Sequence, residues 1–284
     1  MLQADYEAYY ERFLALSESY IERTCRLTGS RERAERGELD LHFINDYRYF
    51  ALTKNTKLLR SALTLLRIGH DEDAIVLART MFECYIASRY VDDQFDLSVI
   101  RDMILIPSEI AERNAIAMGD HIYRRNSKEE VEYQERNPAL MDLGRDRKYF
   151  YDLYFLFCIF AHSNFSQVSS YLDDNRHFVL YTGKNAEIAA VIPLFLFYKC
   201  FESTVMLEQA ASDDPAEEDE LCTFMVDATN FLYRKLSELS ASWTSEYGEY
   251  ADKHMRRLFI NMRNTLKEQL GRVDKSFLTY PNTK

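Results

Sequence analysis

The chain has 284 residues, of which 47% are apolar, with 8 glycines, 5 prolines, 20 tyrosines and 18 phenylalanines. Many bulky apolar side chains and few turn-forming residues favour long helices around a substantial core over a turn-rich sheet protein. A formal net charge of −11 repels polyanions, so binding to nucleic acid or to an anionic membrane would require a local basic patch.

Three features of the chain predict a cytoplasmic protein without membrane association. The five cysteines are odd in number and widely spaced, which is typical of reduced core residues. The first residues are acidic and lack the apolar block of a secretory signal. The longest uncharged apolar run, residues 188–198, contains Pro193 and falls short of the ~20 residues that cross a bilayer.

Apolar periodicity predicts an all-α fold, an irregular bundle of about seven or eight helices. The predicted helices cover residues 6–27, 41–65, 72–93, 97–123 with a break at Pro107, 149–165, 186–210, 221–245 and 250–271. Asp71 is the predicted N-cap of the third helix, which follows the second so closely that the two form an antiparallel hairpin. Residues 124–148 are predicted as a lid or a linker, and residues 177–183 as an extended segment that allows one short β-hairpin.

The acidic segment at residues 212–220 is the best candidate for a boundary inside the chain. It separates a main helical bundle, residues 1–211, from C-terminal helices in residues 221–284. These helices are too few for a separate domain, so we expect them to pack on the bundle as part of the same domain.

Two charged residues, Arg79 and Glu83, share a stripe of the third predicted helix with apolar residues, namely Ile75, Val76, Phe82, Ile86 and Tyr90. We therefore expect both charges to face the core. A buried arginine keeps its proton and needs several acceptors, of which Glu83 supplies only some.

His162 is a polar exception on the aromatic helix predicted over residues 149–165, where it shares a face with Tyr151, Tyr154, Phe155, Cys158 and Phe165. Packing of that face against the Arg79 stripe would form a semi-buried polar pocket. There Arg79 would hold a phosphate, His162 would act as general acid or base, and Glu83 would orient one of them. The predicted binding residues are Tyr90, Tyr154, Ser163 and Ser166. A buried network that only fixes the helix register is the alternative.

A resemblance adds to this interpretation. The sequence resembles an uncharacterised family of bacterial helical proteins, a domain of unknown function, whose signature is Gly-x4-Ala-x4-Arg-x3-Glu followed by a His-Ser helix end. The residues that carry it are Gly69, Ala74, Arg79, Glu83, His162 and Ser163. The resemblance covers about residues 40–175, implies an all-helical fold and brings no established activity.

More loosely, the arrangement is similar to the HEPN superfamily, helical bundles common in toxins and phage-defence effectors, many of which cut RNA with an Arg-x4-6-His motif. Arg36 and His42 have that spacing, but the pair crosses Gly37 at a predicted helix start, so no catalytic role is transferred to it. The resemblance implies a ribonuclease or another phosphodiester-cleaving enzyme.

Two further patterns in the sequence bear on a metal site and on nucleic-acid binding. His42 with the pair His70-Asp71 resembles the helical HD phosphohydrolases, but the capping role of Asp71 and the absent apolar flanks favour no metal site. No cofactor is expected. Four cations near the C-terminus, Arg256, Arg257, Arg263 and Lys267, would touch RNA phosphate, or form a solvated face, or contact the acidic segment of another subunit.

The sequence thus leaves two functions open. One is a bacterial antiviral or stress effector that acts on RNA or a nucleotide through Arg79, Glu83 and His162. The other is a non-enzymatic binding or regulatory module, such as a homodimer, in which these residues hold the core together.

Overall fold

Helices form the body of the protein. The computed structural model describes residues 2–27, 42–94, 115–118, 121–125, 131–136, 148–161, 165–206, 215–244 and 248–277. Within these ranges lie seven α-helices: α1 (Ala4–Thr24), α2 (His42–Arg67), α3 (Asp71–Gln94), α4 (Lys148–Ala161), α5 (Ala186–Phe201), α6 (Pro215–Ser242) and α7 (Glu249–Phe277). A 3-10 helix spans Phe165–Tyr171, and a π-helical turn, Glu202–Met206, follows α5. The predicted all-α bundle is confirmed.

A small antiparallel sheet accompanies the helices. Its strands are β1 (Ala115–Met118), β2 (His121–Arg125) and β3 (Val131–Arg136), in that order. The helix predicted over residues 97–123 is therefore wrong from residue 115 onward, while residues 95–114 lie outside the described part. The sequence signal that was missed is Gly119-Asp120 between the paired residues Met118 and His121, since such a dipeptide favours a two-residue hairpin connection.

The predicted hairpin of α2 and α3 is present, and Gly69 closes it. Gly69 has a φ of +79°, in the left-handed region that favours glycine. Its amide donates to the carbonyl oxygen of Leu66 over 3.2 Å, and the amide of His70 donates to Leu65 over 2.9 Å, which together form a Schellman motif. The amide of Ala74 donates to the carbonyl oxygen of His70, so His70 caps α3 and the prediction of Asp71 as N-cap is wrong by one residue.

Helix α5 is the centre of the core. Every residue from Ile188 to Phe201 is buried, and the hydroxyl of Tyr10 on α1 donates to the Ala190 carbonyl oxygen over 2.9 Å, close to Pro193. The segment Ala186–Val205 is long and apolar enough to cross a membrane, contrary to the length predicted from sequence, but 94% of its most apolar window is buried inside the protein. This burial is that of a central helix surrounded by other helices.

Helix α4 packs on α3, mainly with a face other than the one that carries Tyr151 and Phe155. Phe82 on α3 meets Phe150 and Phe157 on α4 with ring centroids 5.4 and 5.5 Å apart. Tyr151 and Phe155, which were expected to be buried, are 65% and 61% exposed. Because α4 is apolar nearly all round, hydrophobic periodicity cannot select which of its faces is buried.

The C-terminal helices pack against the first half of the chain. Ring stacking of Phe231 on Tyr9, with centroids 4.2 Å apart, joins α6 to α1. Helix α6 begins at Pro215, so most of the acidic segment predicted as a loop is helical, and Glu217 pairs with Arg23 of α1 over 3.0 Å. One face of α7 is apolar and buried, with Leu258, Phe259, Met262 and Leu266 in the core. The extended segment predicted at residues 177–183 forms a single antiparallel bridge between Leu172 and Phe178.

Candidate functional site

Arg79 and Glu83 form an ion pair on the surface of α3. The Nε atom of Arg79 lies 2.9 Å from Oε1 of Glu83, and the two side chains are 23% and 45% exposed. The expectation that both face the core is therefore wrong. The buried stripe of α3 is centred on Ala78, Phe82 and Tyr85, and the ion pair lies at its edge, where solvent reaches it.

Helix α4 contributes two polar side chains beside this pair. The guanidinium of Arg79 lies 5.6 Å from the ring centre of Tyr154, within the range of a cation–π contact. A side-chain hydrogen bond joins Tyr154 to Cys158. The pKa of the Tyr154 phenol is raised, first because the side chain is partly buried and second because Cys158 lies nearby. The hydrogen bond that Arg79 donates to Glu83 raises the pKa of the Arg79 guanidinium. We call these four residues the Arg79 cluster.

Only some of the other residues predicted for the pocket lie in the described part of the chain. His162 and Ser163 lie outside the described residues, and so does the side chain of Ser166, although its backbone belongs to the 3-10 helix. The approach of His162 to Arg79 thus stays a prediction. Tyr90 is buried on α3, two helical turns beyond Glu83.

A cleft of about 830 Å³ opens beside a neighbouring face of α4. Its walls come from α4, the 3-10 helix, the start of α5, the end of α6 and α7. The apolar walls include Phe155, Ile159, Phe160, Ile188, Trp243, Met255 and Leu258. The volume lies within the range of small-molecule sites, about 300–1,000 Å³. Neither Arg79 nor Glu83 lines it, so the cleft and the Arg79 cluster are separate places.

The polar rim of the cleft is tied together by charged contacts. Arg257 on α7 donates two hydrogen bonds to Asp152 on α4, from Nη2 to Oδ1 over 2.6 Å and from Nε to Oδ2 over 3.2 Å. Nδ1 of His254 lies 3.1 Å from Nη2 of the same arginine. Nζ of Lys184, which also lines the cleft, donates to the carbonyl oxygen of Ser169 over 3.1 Å. Such a bidentate pair fixes the distance between α4 and α7 at this edge.

Asn185 links the cleft to the first turn of α3. Its Nδ2 atom donates to Oγ of Ser170 over 3.0 Å and to Oε1 of Glu72 over 2.6 Å. The start of α5 and the 3-10 helix are therefore held in fixed positions on the cleft wall.

Three of the four cations predicted to touch RNA make contacts within the chain. Arg256 donates from Nε and Nη2 to the carbonyl oxygen of Trp243, over 3.0 and 2.6 Å, and so satisfies a carbonyl at the end of α6. Arg257 pairs with Asp152, and the guanidinium of Arg263 lies 5.7 Å from the ring centre of Tyr233. A contact of this helix with RNA stays a prediction.

In the described part of the chain, the pair His70-Asp71 is not part of a metal site. Nδ1 of His70 lies 3.2 Å from Oδ2 of Asp73, while Asp71 is buried beside it. Among the described residues no group of three or more histidines, cysteines and carboxylates is placed to hold a metal ion.

Sequence reasoning missed the cleft. It placed Phe155 on a face expected to be buried. The walls come from segments far apart in the chain, and periodicity within one helix gives no information on which segments meet. An available signal was the complete apolar circumference of α4, which has more apolar faces than one neighbouring helix can cover.

Comparison with known proteins gives one family match. Residues 47–137 match the model of a family of unknown function (DUF5677). No curated protein and no solved structure matches the chain. The match includes Gly69, Ala74, Arg79 and Glu83 of the signature and stops before His162. The similarity to the HEPN superfamily gains no support from these comparisons. Over residues 47–137 the chain is therefore similar to an uncharacterised family, the family of unknown function DUF5677.

Proposed function

We propose that this protein is a helical binding module that holds a small molecule in the cleft between α4 and α7. The observation that carries the proposal is the cleft itself, with its volume of about 830 Å³, its aromatic and aliphatic walls and its few polar groups at the rim. Sites of this size and composition bury most of the surface of a small ligand, and the few polar groups orient it.

The fixed geometry of the walls supports binding. Asp152 and Arg257 hold α4 against α7, and Asn185 holds the start of α5 against the 3-10 helix. A site whose walls are held before the ligand arrives spends less conformational entropy on binding. A regulatory module would use such binding to report the presence of its ligand.

The experiment uses Trp243, which lines the cleft and is the only tryptophan in the chain. We expect the neutral apolar dye N-phenyl-1-naphthylamine to quench Trp243 by energy transfer and to bind with a stoichiometry of one per chain. Ala251→Phe adds a ring to the cleft wall and should abolish binding. Ala15→Phe makes the same change at an exposed position of α1 and should leave binding intact. Equal binding by both variants, or none by the wild type, would refute the proposal.

A second candidate function is retained because the Arg79–Glu83 pair is partly exposed and not sealed. It is an effector, of the antiviral or stress type, that cleaves a phosphodiester in RNA or a nucleotide. Arg79 would bind the phosphate, and His162, which the sequence places on the same face of its helix as Tyr154 and Cys158, would transfer the proton.

The test of this second function has a matched control elsewhere in the protein. Arg234 on α6 pairs with Glu238 four residues later, at 4.0 Å, and lies 5.7 Å from the ring centre of Phe231. It thus has an ion pair and a cation–π contact of the same kinds as Arg79, although its ion pair is longer. Each Arg→Ala change should cost no more than about 1 kcal/mol of stability. An RNA-cleaving effector would lose activity in Arg79→Ala and His162→Ala but keep it in Arg234→Ala. A wild type that degrades no RNA would rule this function out.

A further inference from the structure

We infer that the cleft selects an amphipathic anion, a small molecule with an apolar body and one acidic head group. This inference rests on the proposed function and adds the ligand class. Its basis is the distribution of charge along the rim of the cleft compared with that of the whole chain.

The lining of the cleft has the opposite charge balance to the protein. The whole chain has 46 acidic against 35 basic residues. Among the residues that the structure describes, the cleft is lined by two permanent cations, Lys184 and Arg257, and by His254, against a single carboxylate, Asp152. A cationic rim on an acidic protein concentrates anions locally, because the low-dielectric walls of a cleft focus the field of its charges.

The single carboxylate is already engaged. Both oxygens of Asp152 accept hydrogen bonds from Arg257, so the two charges of this pair offset each other and the net positive charge of the described lining comes from Lys184. Lys184 lines the cleft, and its ammonium group donates to the carbonyl oxygen of Ser169. An ammonium group has three donors and exchanges partners readily, which suits it to a carboxylate, sulfonate or phosphate oxygen.

The apolar walls of the cleft determine the chemistry of the rest of the ligand. Phe155, Ile159, Met255 and Leu258 line the cleft beside the indole of Trp243. A charged or strongly polar group placed among these side chains would lose its hydration without gaining hydrogen bonds. The ligand should therefore have one polar end and an apolar remainder. A nucleotide, whose base and ribose carry several hydrogen-bonding groups, fits these walls less well.

Three probes with the same ten-carbon chain test the head group: decanoate, decan-1-ol and decylammonium. Each competes with N-phenyl-1-naphthylamine, and AMP is included as the nucleotide. We expect decanoate to bind about tenfold more tightly than decan-1-ol, as one charge-assisted hydrogen bond would give. Decylammonium should be the weakest of the three, and AMP should not compete.

Lys184→Met keeps most of the side-chain stem and removes the charge. It should bring decanoate to within about threefold of decan-1-ol, whereas Lys57→Met, at an exposed lysine of α2 outside the cleft, should not change the preference. Equal affinity for all three head groups, or an unchanged preference in Lys184→Met, would overturn the inference while the binding function stands. Tightest binding by AMP would overturn it in favour of a nucleotide. Failure of every probe, including the neutral dye, would refute the proposed function as well.

Discussion

Asp71 is a carboxylic acid buried at the start of α3, with only 4% of its surface exposed. Burial raises the pKa of this carboxyl to about 6, and the neighbouring charge of Glu72 adds to the effect. Between about pH 4 and pH 6 the folded protein therefore keeps a proton that the unfolded chain has lost. Folding is then coupled to proton uptake, so the contribution of Asp71 to stability is complete below pH 4 and is lost as the pH rises through 6.

Asp71→Asn removes this titration and keeps the shape of the side chain. At pH 7 we expect the variant to be more stable than the wild type by about 1 to 2 kcal/mol, and the difference should disappear near pH 4. Urea unfolding at a series of pH values measures both quantities. Asp219→Asn, at an exposed position near the start of α6, makes the same chemical change without burial and should show no such trend. A less stable Asp71→Asn at pH 7 would contradict the assignment.

Other residues show what sequence predicts at this scale. The pairing of Arg79 with Glu83 follows from their spacing of four residues, and the structure has it. Their partial exposure could not be predicted, because the edge of a stripe drawn at 100 degrees per residue is defined only to about the width of one side chain. The approach of Tyr154 was predicted through helix packing, whereas the contribution of Cys158 was not, because a cysteine in an apolar run is typical of the core.

At the scale of elements, long periodic helices were predictable and their orientations were not. Periodicity placed the limits of α2 and α3 to within two residues, but it ended α7 at residue 271, whereas the helix runs to Phe277. It also put Arg79 and Glu83 on the buried face of α3, where they do not lie. Helix α4 has apolar residues on all sides, and its exposed aromatic residues, Tyr151 and Phe155, now line the cleft. The strands were missed because they are four to six residues long, too short for periodicity to distinguish them from a helix end.

At the scale of the whole molecule, composition predicted the class correctly and said less about the position of each part. The apolar content and the scarcity of glycine and proline indicated a helical core, and α5 is at its centre. The same apolar character makes α5 resemble a membrane span by composition, and only its burial among the other helices distinguishes it. Which surface carries a site depends on where helices from both halves of the chain meet, as α4 and α7 do at the cleft.

The C-terminal helices should therefore unfold together with the rest of the bundle. Apolar side chains of α6 and α7 belong to the same core as those of α1 and α5, and Arg257 joins α7 to α4. Unfolding α6 and α7 alone would expose that shared core, so the protein should unfold in one cooperative transition. Urea unfolding followed by Trp243 fluorescence reports on the end of α6, and far-ultraviolet circular dichroism reports on all helices.

We expect the two signals to have the same midpoint and the same slope. Trp243→Phe tests whether the indole itself determines the result, because the circular dichroism transition of this variant should remain a single step. A fluorescence transition that clearly precedes the circular dichroism transition would show that α6 and α7 form a separate unit. The cleft would then open at the contact between two units, and an apolar ligand would be expected to bring their transitions together, since it binds only when both walls are folded.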